Sequence, residues 1–297
     1  MVSYIATENV LYQPLEMLNP HKTLNCAGTL LSLEVPIVMG ILNITTDSFY
    51  DRGKFSDDAL AQKQVEKMLA EGASIIDIGA MSSRPGATLS TPKEEIKKLI
   101  PLIRSLRVEF PKVIFSIDTI HSEVADQCIK EGAHIINDIS GGSHDEKMLQ
   151  TVCDHKNIPF VLMHMQGTPQ SMQDNPTYNN VTMDILDYFI VKTVKMVEMG
   201  FKDVIIDPGF GFGKTMDQNY ELLKSLHVFK MLDWPILVGI SRKSMLYKLL
   251  DIDAENALPA TAMVNLYALQ EGAKILRVHD VKEAVQAIKI YKKINQS

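Results

Sequence analysis

Residues 113–139 read VIFSIDTIHSEVADQCIKEGAHIINDI, a stretch in which two short apolar runs flank one amphipathic segment. The runs are Val113–Ile117 and His134–Ile136, and the segment between them ends at Lys130-Glu131-Gly132, a helix C-cap pattern. Each run is too short for a core helix and lacks the polar alternation of a strand with one solvated face. Both are typical of buried parallel strands, so the stretch predicts a strand–helix–strand unit.

The same alternation repeats from residue 35 to residue 295. Eight apolar runs rich in β-branched residues are separated by segments of helical periodicity. The runs are Val35–Leu42, Ser74–Ile78, Val113–Ile117, His134–Ile136, Pro159–Met163, Asp203–Ile206, Pro235–Val238 and Lys274–Val278. Thr91-Pro92 marks the beginning of one helix, and Glu71-Gly72 marks the end of another. The pattern therefore predicts eight strand–helix units.

Eight such units without a Pro-, Gly- or Ser-rich linker predict an α/β protein, a single (β/α)8 TIM barrel over residues 35–297. Residues 1–34 are expected to form a short N-terminal extension that caps the barrel floor, with a small hairpin around Leu24–Leu33. An open doubly wound parallel sheet is the alternative, because spacing alone does not show closure.

Composition limits the classes of protein. The chain has 297 residues, 46% hydrophobic and 22% charged, which is typical of a globular protein. A formal net charge of −6 gives no reason to expect nucleic-acid or membrane binding, and no apolar run reaches the ~18 residues of a membrane helix. The cysteines Cys26, Cys128 and Cys153 form no CxxC pair, and the N-terminal residues lack a signal-peptide pattern. We therefore expect buried free thiols and a cytoplasmic location.

Almost every apolar run ends at a polar or ionisable side chain. These positions are Asn43, Asp77, Asp118, Asn137-Asp138, Met163-His164, Asp207, Ser241-Arg242-Lys243 and Arg277-Val278-His279. Any one of them alone is typical of a helix N-cap or a satisfied core polar group. In a barrel, however, the carboxyl ends of all strands meet at one face, and packing gives no reason to gather carboxylates and cations there. The sequence therefore predicts a functional pocket at that face.

One side of this pocket is expected to be cationic. Lys243 follows the seventh strand, and Arg277 and His279 follow the eighth, in the part of such barrels where phosphate groups often bind. The helix that begins near Val281 adds N-terminal amides on the same side. These groups favour an anionic, phosphate-bearing ligand.

The opposite side is expected to be rich in acceptors. Asp118, Asn137 and Asp207 suit a flat heterocycle that carries N–H donors. Asn43 offers a side-chain carbonyl oxygen to Mg²⁺, a cation that takes few protein ligands when phosphates are present.

Three loops have unusual compositions. Residues 43–53, NITTDSFYDRG, and residues 82–87, SSRPGA, follow the first two strands and are expected to close over a substrate. Residues 207–214, DPGFGFGK, have neither the third glycine of a dinucleotide motif nor the spacing of a P-loop. Their phenylalanines are expected to form an apolar wall for an aromatic ligand.

Eight motifs resemble, in order, those of the dihydropteroate synthase family. They are Met39–Thr45 with Asp47-Ser48-Phe49, Ser83–Ala87, Ser116–Thr119, Asn137–Gly142, Met163–Pro169, Asp207–Lys214, Ser241–Ser244 and Arg277–Asp280. The chain departs from the family pattern at Thr46, where proline is usual, and at Ala80–Ser83, where Gly-Glu-Ser-Thr is common.

The resemblance implies a folate-pathway transferase that joins 6-hydroxymethyl-7,8-dihydropterin diphosphate to p-aminobenzoate and releases 7,8-dihydropteroate and pyrophosphate with Mg²⁺. It also implies a homodimer formed through the last helices and a p-aminobenzoate site that sulfonamides occupy. We expect C–O cleavage to run ahead of attack by the amine, which is neutral and nucleophilic at pH 7 and needs no strong base.

The resemblance also implies a role for individual residues. The residues implied in catalysis are Asp118, Lys243, Arg277 and His279, and those implied in pterin binding are Asp118, Asn137, Met163, Asp207 and Lys243. The diphosphate is expected to contact Asn43, Arg84, Arg277 and His279, and Asn43 is also expected to bind Mg²⁺. The p-aminobenzoate site is expected to contain Ser83, Arg84, Pro85, Phe212 and Ser244, and the mobile loops carry Asp47, Phe49, Asp51 and Ser82.

Two other functions stay open. A pterin-binding methyltransferase, which uses methyltetrahydrofolate and a corrinoid protein, shares the carboxylates and the amide but has no leaving diphosphate. The residues Ser241–Ser244 and Arg277-Val278-His279 favour the synthase over it. The second alternative is a folate-binding paralogue without turnover, for which degenerate charged positions would be expected, whereas this chain departs only around Ala80-Met81.

Overall fold

Buried strands and amphipathic helices alternate along the chain in a computed structural model that describes residues 22–44, 57–80, 89–168, 172 and 176–295. The strands are β1 (Thr23–Cys26), β2 (Thr29–Ser32), β3 (Ile37–Asn43), β4 (Ile75–Gly79), β5 (Ile114–Asp118), β6 (Ile135–Asp138), β7 (Phe160–Met163), β8 (Val204–Asp207), β9 (Leu237–Val238) and β10 (Ile275–Val278). The α-helices are α1 (Asp57–Glu71), α2 (Pro92–Glu109), α3 (Ser122–Lys130), α4 (Met148–Asp154), α5 (Val181–Met199), α6 (Met216–Lys224), α7 (Ser244–Tyr247), α8 (Leu258–Gln270) and α9 (Val281–Asn295). Two 3₁₀ segments, Leu226–Leu232 and Ala254–Asn256, lie in the connections.

Strands β3 to β10 form one parallel sheet in the order β8-β7-β6-β5-β4-β3-β10-β9. A parallel bridge between Ile206 and Ile236 joins β8 to the segment that leads into β9, so the two edges of the sheet meet. The predicted (β/α)8 barrel is thereby confirmed, and the open doubly wound sheet is excluded. In a closed parallel barrel the carboxyl ends of all strands face the same side, which is where ligands bind in this architecture.

The interior of the barrel is apolar near the amino ends of the strands and polar further along. Side chains alternate between the interior and the surrounding helices. The first buried layer consists of Met39, Ile75, Ile114, Ile135, Val161, Ile205, Leu237 and Ile275. Two residues further along their strands lie Asp77, Ser116, Asn137, Asp207 and Arg277. This change of polarity within five of the eight strands places the polar groups at the open end of the barrel.

The antiparallel hairpin of β1 and β2 lies against the apolar end. Its residues Leu24 and Cys26, with the following Leu33, are buried in the same cluster as the first interior layer. The backbone N–H of Ala27 donates to the carbonyl oxygen of Asn157 (2.8 Å), which fixes the turn of the hairpin to the barrel. The expected hairpin is present, and the boundary between the extension and the barrel at residue 34 stays a prediction.

The helices begin and end where the sequence predicts. Thr91 caps α2, because its hydroxyl accepts from the N–H of Glu94 while the Glu94 carboxylate accepts from the N–H of Thr91 (2.8 Å). Gly200 ends α5 with a left-handed φ of 106°, a conformation that glycine adopts without steric cost. Among the described residues, no helix combines the length and the apolar character needed to cross a bilayer.

The cysteines are free thiols. Cys26 and Cys128 are buried, and Cys153 is half-buried with its Sγ donating to the carbonyl oxygen of Met199 (2.9 Å). Two of the three expected buried thiols are therefore fully enclosed in the core.

Candidate active site

Arg277 holds the centre of the polar end of the barrel. Its Nε donates to Oδ2 of Asp77 (2.7 Å) and its Nη2 donates to Oδ2 of Asp118 (2.7 Å). The Nδ2 of Asn137 donates to the same oxygen of Asp77 (3.0 Å). One guanidinium thus links inward-facing side chains from three other strands, and the whole group is stabilised as a network of charge-assisted hydrogen bonds.

This network corrects the expected electrostatic division of the pocket. Arg277 does not lie on a cationic side opposite Asp118, but contacts it directly. The register explains the contact, because β10 pairs with β3 and β3 with β4, so the long Arg277 side chain reaches across the barrel interior to β4 and β5. Cations and carboxylates are therefore interleaved at the mouth of the barrel.

Asp118 is a buried carboxyl with acceptor capacity left over. Only 6% of its surface is exposed, and among the described residues no group donates to its Oδ1. Burial raises the pKa of Asp118 to about 7, although Arg277 acts in the opposite direction. Oδ1 of Asp77 and the Ser116 hydroxyl are likewise buried without a partner in the described part of the chain. Orphaned acceptors of this kind indicate a ligand that supplies donors.

Asp207 and Lys243 form the second charged part of the site. The N–H of Gly209 donates to Oδ1 of Asp207 (2.8 Å), while Lys243 donates from Nζ to the carbonyl oxygen of Phe210. Burial raises the pKa of Asp207, and Lys243 partly offsets this shift. Burial also lowers the pKa of Lys243 to about 8, against the effect of Asp207. The two groups stabilise each other's charged forms without a direct hydrogen bond between them.

An apolar cluster lines the mouth beside these charges. It contains Ile120, Ile139, Met163, Met172 and Phe212. The Nζ of Lys243 lies 4.4 Å from the centroid of the Phe212 ring, a cation–π distance. Phe212 therefore stands where the sequence predicts an apolar wall. Phe210 does not, because it is fully buried in the core between the barrel and the helices.

His279 and Ser241 lie together after the last two strands. The Nδ1 of His279 is 3.0 Å from the Ser241 hydroxyl, which also accepts from the backbone N–H of His279 (3.2 Å). Burial, followed by the effect of Arg277, lowers the pKa of His279 to about 4. The imidazole of His279 is therefore neutral at pH 7. When the Ser241 hydroxyl donates to Nδ1 of His279, the proton of the imidazole lies on Nε2, which can donate it to a ligand.

Asn43 ends β3 with an exposed side chain near Gly79 and Asp118. A Cβ placed on Gly79 would lie 3.6 Å from Oδ1 of Asn43 and 3.4 Å from Cβ of Asp118, so Gly79 leaves room between them. No group of three or more His, Cys, Asp or Glu side chains in the described residues could hold a metal by itself. A single amide oxygen fits Mg²⁺ that reaches the protein together with phosphate oxygens and water.

Of the remaining predicted site residues, Ser244 lies in the described part of the chain and the residues of the first two loops do not. Ser244 begins α7 directly after Lys243, at the same face. Asp47, Phe49, Asp51, Ser82, Ser83, Arg84 and Pro85 lie outside the described residues.

Some residues that lie beside the predicted site residues were not assigned a role from the sequence. Asp77 is among the polar side chains predicted at the strand ends but has no assigned ligand, whereas Ser116 could have been identified as a polar residue at an inward position within a β-branched run. Arg242, by contrast, follows a predicted strand but its guanidinium donates to both oxygens of Asp280 (2.8 Å each). It therefore fixes the segment after β9 to the segment after β10.

The fold and the site together are those of a barrel enzyme with a polar pocket, lined by carboxylates and cations, at the carboxyl ends of its strands. The family model described as pterin binding enzyme matches residues 39–279. The chain therefore belongs to the pterin binding enzyme family. The proteins to which it is similar include dihydropteroate synthases.

The chain is 41% identical over 265 residues to the dihydropteroate synthase of Escherichia coli (strain K12), covering 89% of this chain and 93% of the relative. It is also 41% identical over 263 residues to that of Haemophilus influenzae, covering 88% and 94% of the two chains. Among solved structures, a Yersinia pestis dihydropteroate synthase with a sulfonamide drug complex has a TM-score of 0.87 at 38% identity, covering 93% of this chain and 100% of that one. A Xanthomonas albilineans dihydropteroate synthase with 4-aminobenzoic acid has a TM-score of 0.87 at 35% identity, covering 93% and 99%.

Proposed function

We propose that the protein condenses 6-hydroxymethyl-7,8-dihydropterin diphosphate with p-aminobenzoate to give 7,8-dihydropteroate and pyrophosphate. The observation that carries this proposal is the pair of buried carboxyls, Asp118 and Asp207, each beside a cation at the open end of the barrel. Family membership and relatives that are dihydropteroate synthases over nearly the whole chain support the same reaction.

The acceptors of the pocket suit the pterin ring. Oδ1 of Asp118 is available to accept from a ring N–H or an amino group. The Nδ2 of Asn137 already donates to Asp77, so its Oδ1 is left as an acceptor for the ligand. Lys243 supplies a donor for the ring carbonyl, and the Met163 side chain offers an apolar surface beside it. The pairing of Asp77 with Asn137 thus selects for a ligand that donates at this position.

The diphosphate is assigned to the hydrogen-bond donors of the pocket. Arg277 uses only part of its five N–H donors on Asp77 and Asp118, and the neutral His279 offers Nε2. Asn43 would hold Mg²⁺, which when bound neutralises charge on the diphosphate. Arg84, which lies outside the described residues, is proposed as a further diphosphate ligand.

The reaction breaks the C–O bond to the diphosphate and forms a C–N bond to the aromatic amine. In the proposed order, C–O cleavage runs ahead of attack, and the electron-rich pterin delocalises the positive charge of its methylene carbon. Asp118 and Asp207 favour that charge, while Arg277 and His279 stabilise the charge that develops on the departing diphosphate. The amine then attacks the methylene carbon and loses a proton to solvent.

p-Aminobenzoate is assigned to the mouth of the site. Phe212, 9% exposed, offers a ring surface, and Ser244 lies directly after Lys243. Ser83, Arg84 and Pro85 complete the proposed site. Sulfonamides are expected to compete there, in keeping with the sulfonamide drug complex of the Yersinia pestis dihydropteroate synthase.

We further propose that the protein is a homodimer. Helices α8 and α9 and the turn before them expose large apolar side chains: Leu249, Leu250, Met263, Tyr267 and Ile290. Exposed apolar groups on neighbouring helices, as on α8 and α9, are typical of protein interfaces. The cytoplasmic location expected from the sequence stays a prediction.

Pyrophosphate release from the pterin diphosphate tests the proposed reaction. We expect release that depends on p-aminobenzoate and on Mg²⁺ and that stops when a chelator is added. Pterin binding without release would contradict the proposal and favour the methyltransferase or the paralogue without turnover. Methyl transfer from methyltetrahydrofolate to a corrinoid protein would then distinguish between those two.

A further inference from the structure

Lys214 is a buried lysine that forms no ion pair with any described residue. It ends the 207–214 loop, and only 3% of its surface is exposed. Its Nζ lies 2.9 Å from the carbonyl oxygens of both Gly209 and Phe212, and 3.3 Å from Nδ1 of His164. A buried ammonium is unfavourable unless its donors are satisfied, and here backbone carbonyls and an imidazole satisfy them.

The loop that Lys214 holds carries Asp207, proposed to bind the pterin, and Phe212, proposed to line the p-aminobenzoate site, and it contacts Lys243. The N–H of Gly209 donates to Asp207, and the carbonyl oxygen of Phe210 accepts from Lys243. The ring of Phe212 lies under the ammonium of Lys243. A displacement of this loop therefore moves a carboxylate, a cation and an aromatic wall of the site together.

The loop has no regular secondary structure, and its far end is held by hydrogen bonds from Tyr178 to the carbonyl oxygen of Gly213 (2.7 Å) and from Asn219 to that of Lys214 (3.3 Å). Gly209, Gly211 and Gly213 have left-handed φ values of 72°, 80° and 59°, so the backbone forms neither helix nor strand here. A backbone hydrogen bond joins the N–H of Phe212 to the carbonyl oxygen of Gly209 (3.1 Å), and Asn219 accepts from the N–H of Gly211 (2.7 Å). The Lys214 ammonium donates to carbonyl oxygens at both ends of this turn, those of Gly209 and Phe212, and contacts His164, directly after β7.

We propose that Lys214 is a positioning residue for pterin recognition, which acts by fixing the 207–214 loop and through it Asp207, Lys243 and Phe212. The inference rests on the proposed function. Lys214 touches no reacting atom in this assignment, because its donors are directed to the loop carbonyls and to His164.

The charge states of the pair agree with this role. Burial, followed by the nearby charge of Lys214, lowers the pKa of His164 to about 3, so its imidazole is neutral and its Nδ1 can accept. Burial also lowers the pKa of Lys214 to about 7, while Asp207 acts in the opposite direction. The ammonium is therefore held in its charged form partly by the carboxylate whose loop it fixes.

The test compares Lys214→Met with the wild-type protein and with Lys224→Met, an exposed lysine at the end of α6. The dissociation constant of 6-hydroxymethylpterin is measured by calorimetry, and steady-state kinetics give KM and kcat. Because the lost hydrogen bonds are made by a charged group, we expect the pterin to bind about 10- to 100-fold more weakly to Lys214→Met. KM for the pterin diphosphate should rise in parallel while kcat changes much less, and Lys224→Met should match the wild type.

A folded Lys214→Met protein with a lower melting temperature but wild-type pterin affinity would overturn the proposal, since Lys214 would then serve stability alone. If that variant does not fold, Lys214→Gln decides, because its amide keeps two N–H donors on a side chain that is one bond shorter and carries no charge. We expect Lys214→Gln to bind the pterin several-fold more weakly than the wild type, and unchanged affinity would overturn the proposal. Failure of the wild-type protein to bind 6-hydroxymethylpterin would instead count against the proposed function.

Discussion

Arg277 compensates the charge of two buried carboxylates at once. Its contacts with Asp77 and Asp118 hold the guanidinium inside the barrel, so it is positioned before any ligand binds. A group that is already oriented needs no reorganisation during the reaction, which is the condition for strong electrostatic catalysis.

Replacement of Arg277 by alanine is therefore expected to reduce catalysis strongly. Preorganised groups of this type contribute about 10²–10³ in rate, so Arg277→Ala should lower kcat for pyrophosphate release by that factor. The matched control is Arg104→Ala, which removes an exposed ion pair with Glu131 on the outer surface and should leave kcat unchanged. Near wild-type turnover of Arg277→Ala would remove this residue from the mechanism.

The titrating side chains of the site predict a narrow pH range for pterin binding. Burial raises the pKa of Asp118 to about 7 and raises that of Asp207, whereas burial lowers the pKa of Lys243 to about 8 and that of Lys214 to about 7. Binding needs the carboxyls ionised and the lysines protonated. The association constant should therefore fall as pH drops below the pKa of Asp118, and fall again as pH rises through the pKa values of the lysines.

Calorimetry with 6-hydroxymethylpterin, which carries no phosphate to titrate, measures this profile. The variant Lys243→Arg keeps a cation that does not lose its proton in this range, so the loss of affinity near pH 8 should disappear while the loss near pH 7 from Lys214 remains. His279 should not change the pH dependence of pterin binding near neutral pH, because burial lowers its pKa to about 4. A profile that is flat between about pH 6 and 9 would contradict the proposed protonation states.

The loop after β8 depends on one glycine more than on the others. Gly209 has a φ of 72°, and a Cβ there would overlap the carbonyl oxygen of His164. Gly28, in the turn of the hairpin, has a φ of 93° but nothing within 4 Å of such a Cβ. A substitution of Gly28 therefore tests backbone strain alone, whereas a substitution of Gly209 adds a steric clash with the backbone of His164.

We expect Gly28→Ala to lower the free energy of unfolding by only about 1–2 kcal/mol, the cost of a left-handed alanine. Gly209→Ala should lower it by clearly more and should also weaken pterin binding, because the loop must move away from β7. Urea denaturation measures the first effect and calorimetry the second. Equal destabilisation by the two substitutions would show that the Gly209 turn relaxes without cost.

The positions of the strands could be predicted from the sequence, but the side-chain contacts inside the barrel could be predicted only in part. Each predicted strand agrees with the structure to within two residues, because eight short β-branched runs between capped helices are compatible with few other folds. The contact of Arg277 with Asp118 depends on the register and closure of the barrel, which local patterns do not encode. Phe210 was misplaced for a related reason, since the left-handed glycines around it break the simple alternation of faces.

At the scale of the whole molecule, the two ends of the barrel have different chemistry. In the described part of the chain, the hairpin covers the amino end with apolar side chains, and the polar groups lie at the opposite face. The described site residues all belong to strand ends and the loops that follow them within one chain. Assembly through the outer helices would therefore leave the site intact, and the two properties can be tested separately.

The variant Met263→Glu tests the proposed dimer, because it places a charge at a side chain of α8 that is 72% exposed. Burying an unpaired carboxylate in an apolar interface is unfavourable, so sedimentation equilibrium should show a dimer for the wild type and a monomer for this variant. Val191→Glu on α5, where the side chain is 70% exposed, is the matched control and should remain dimeric. A monomeric wild type would contradict the dimer, and dissociation by Val191→Glu alone would place the interface on α5. Because the site lies within one chain, the Met263→Glu monomer should still release pyrophosphate.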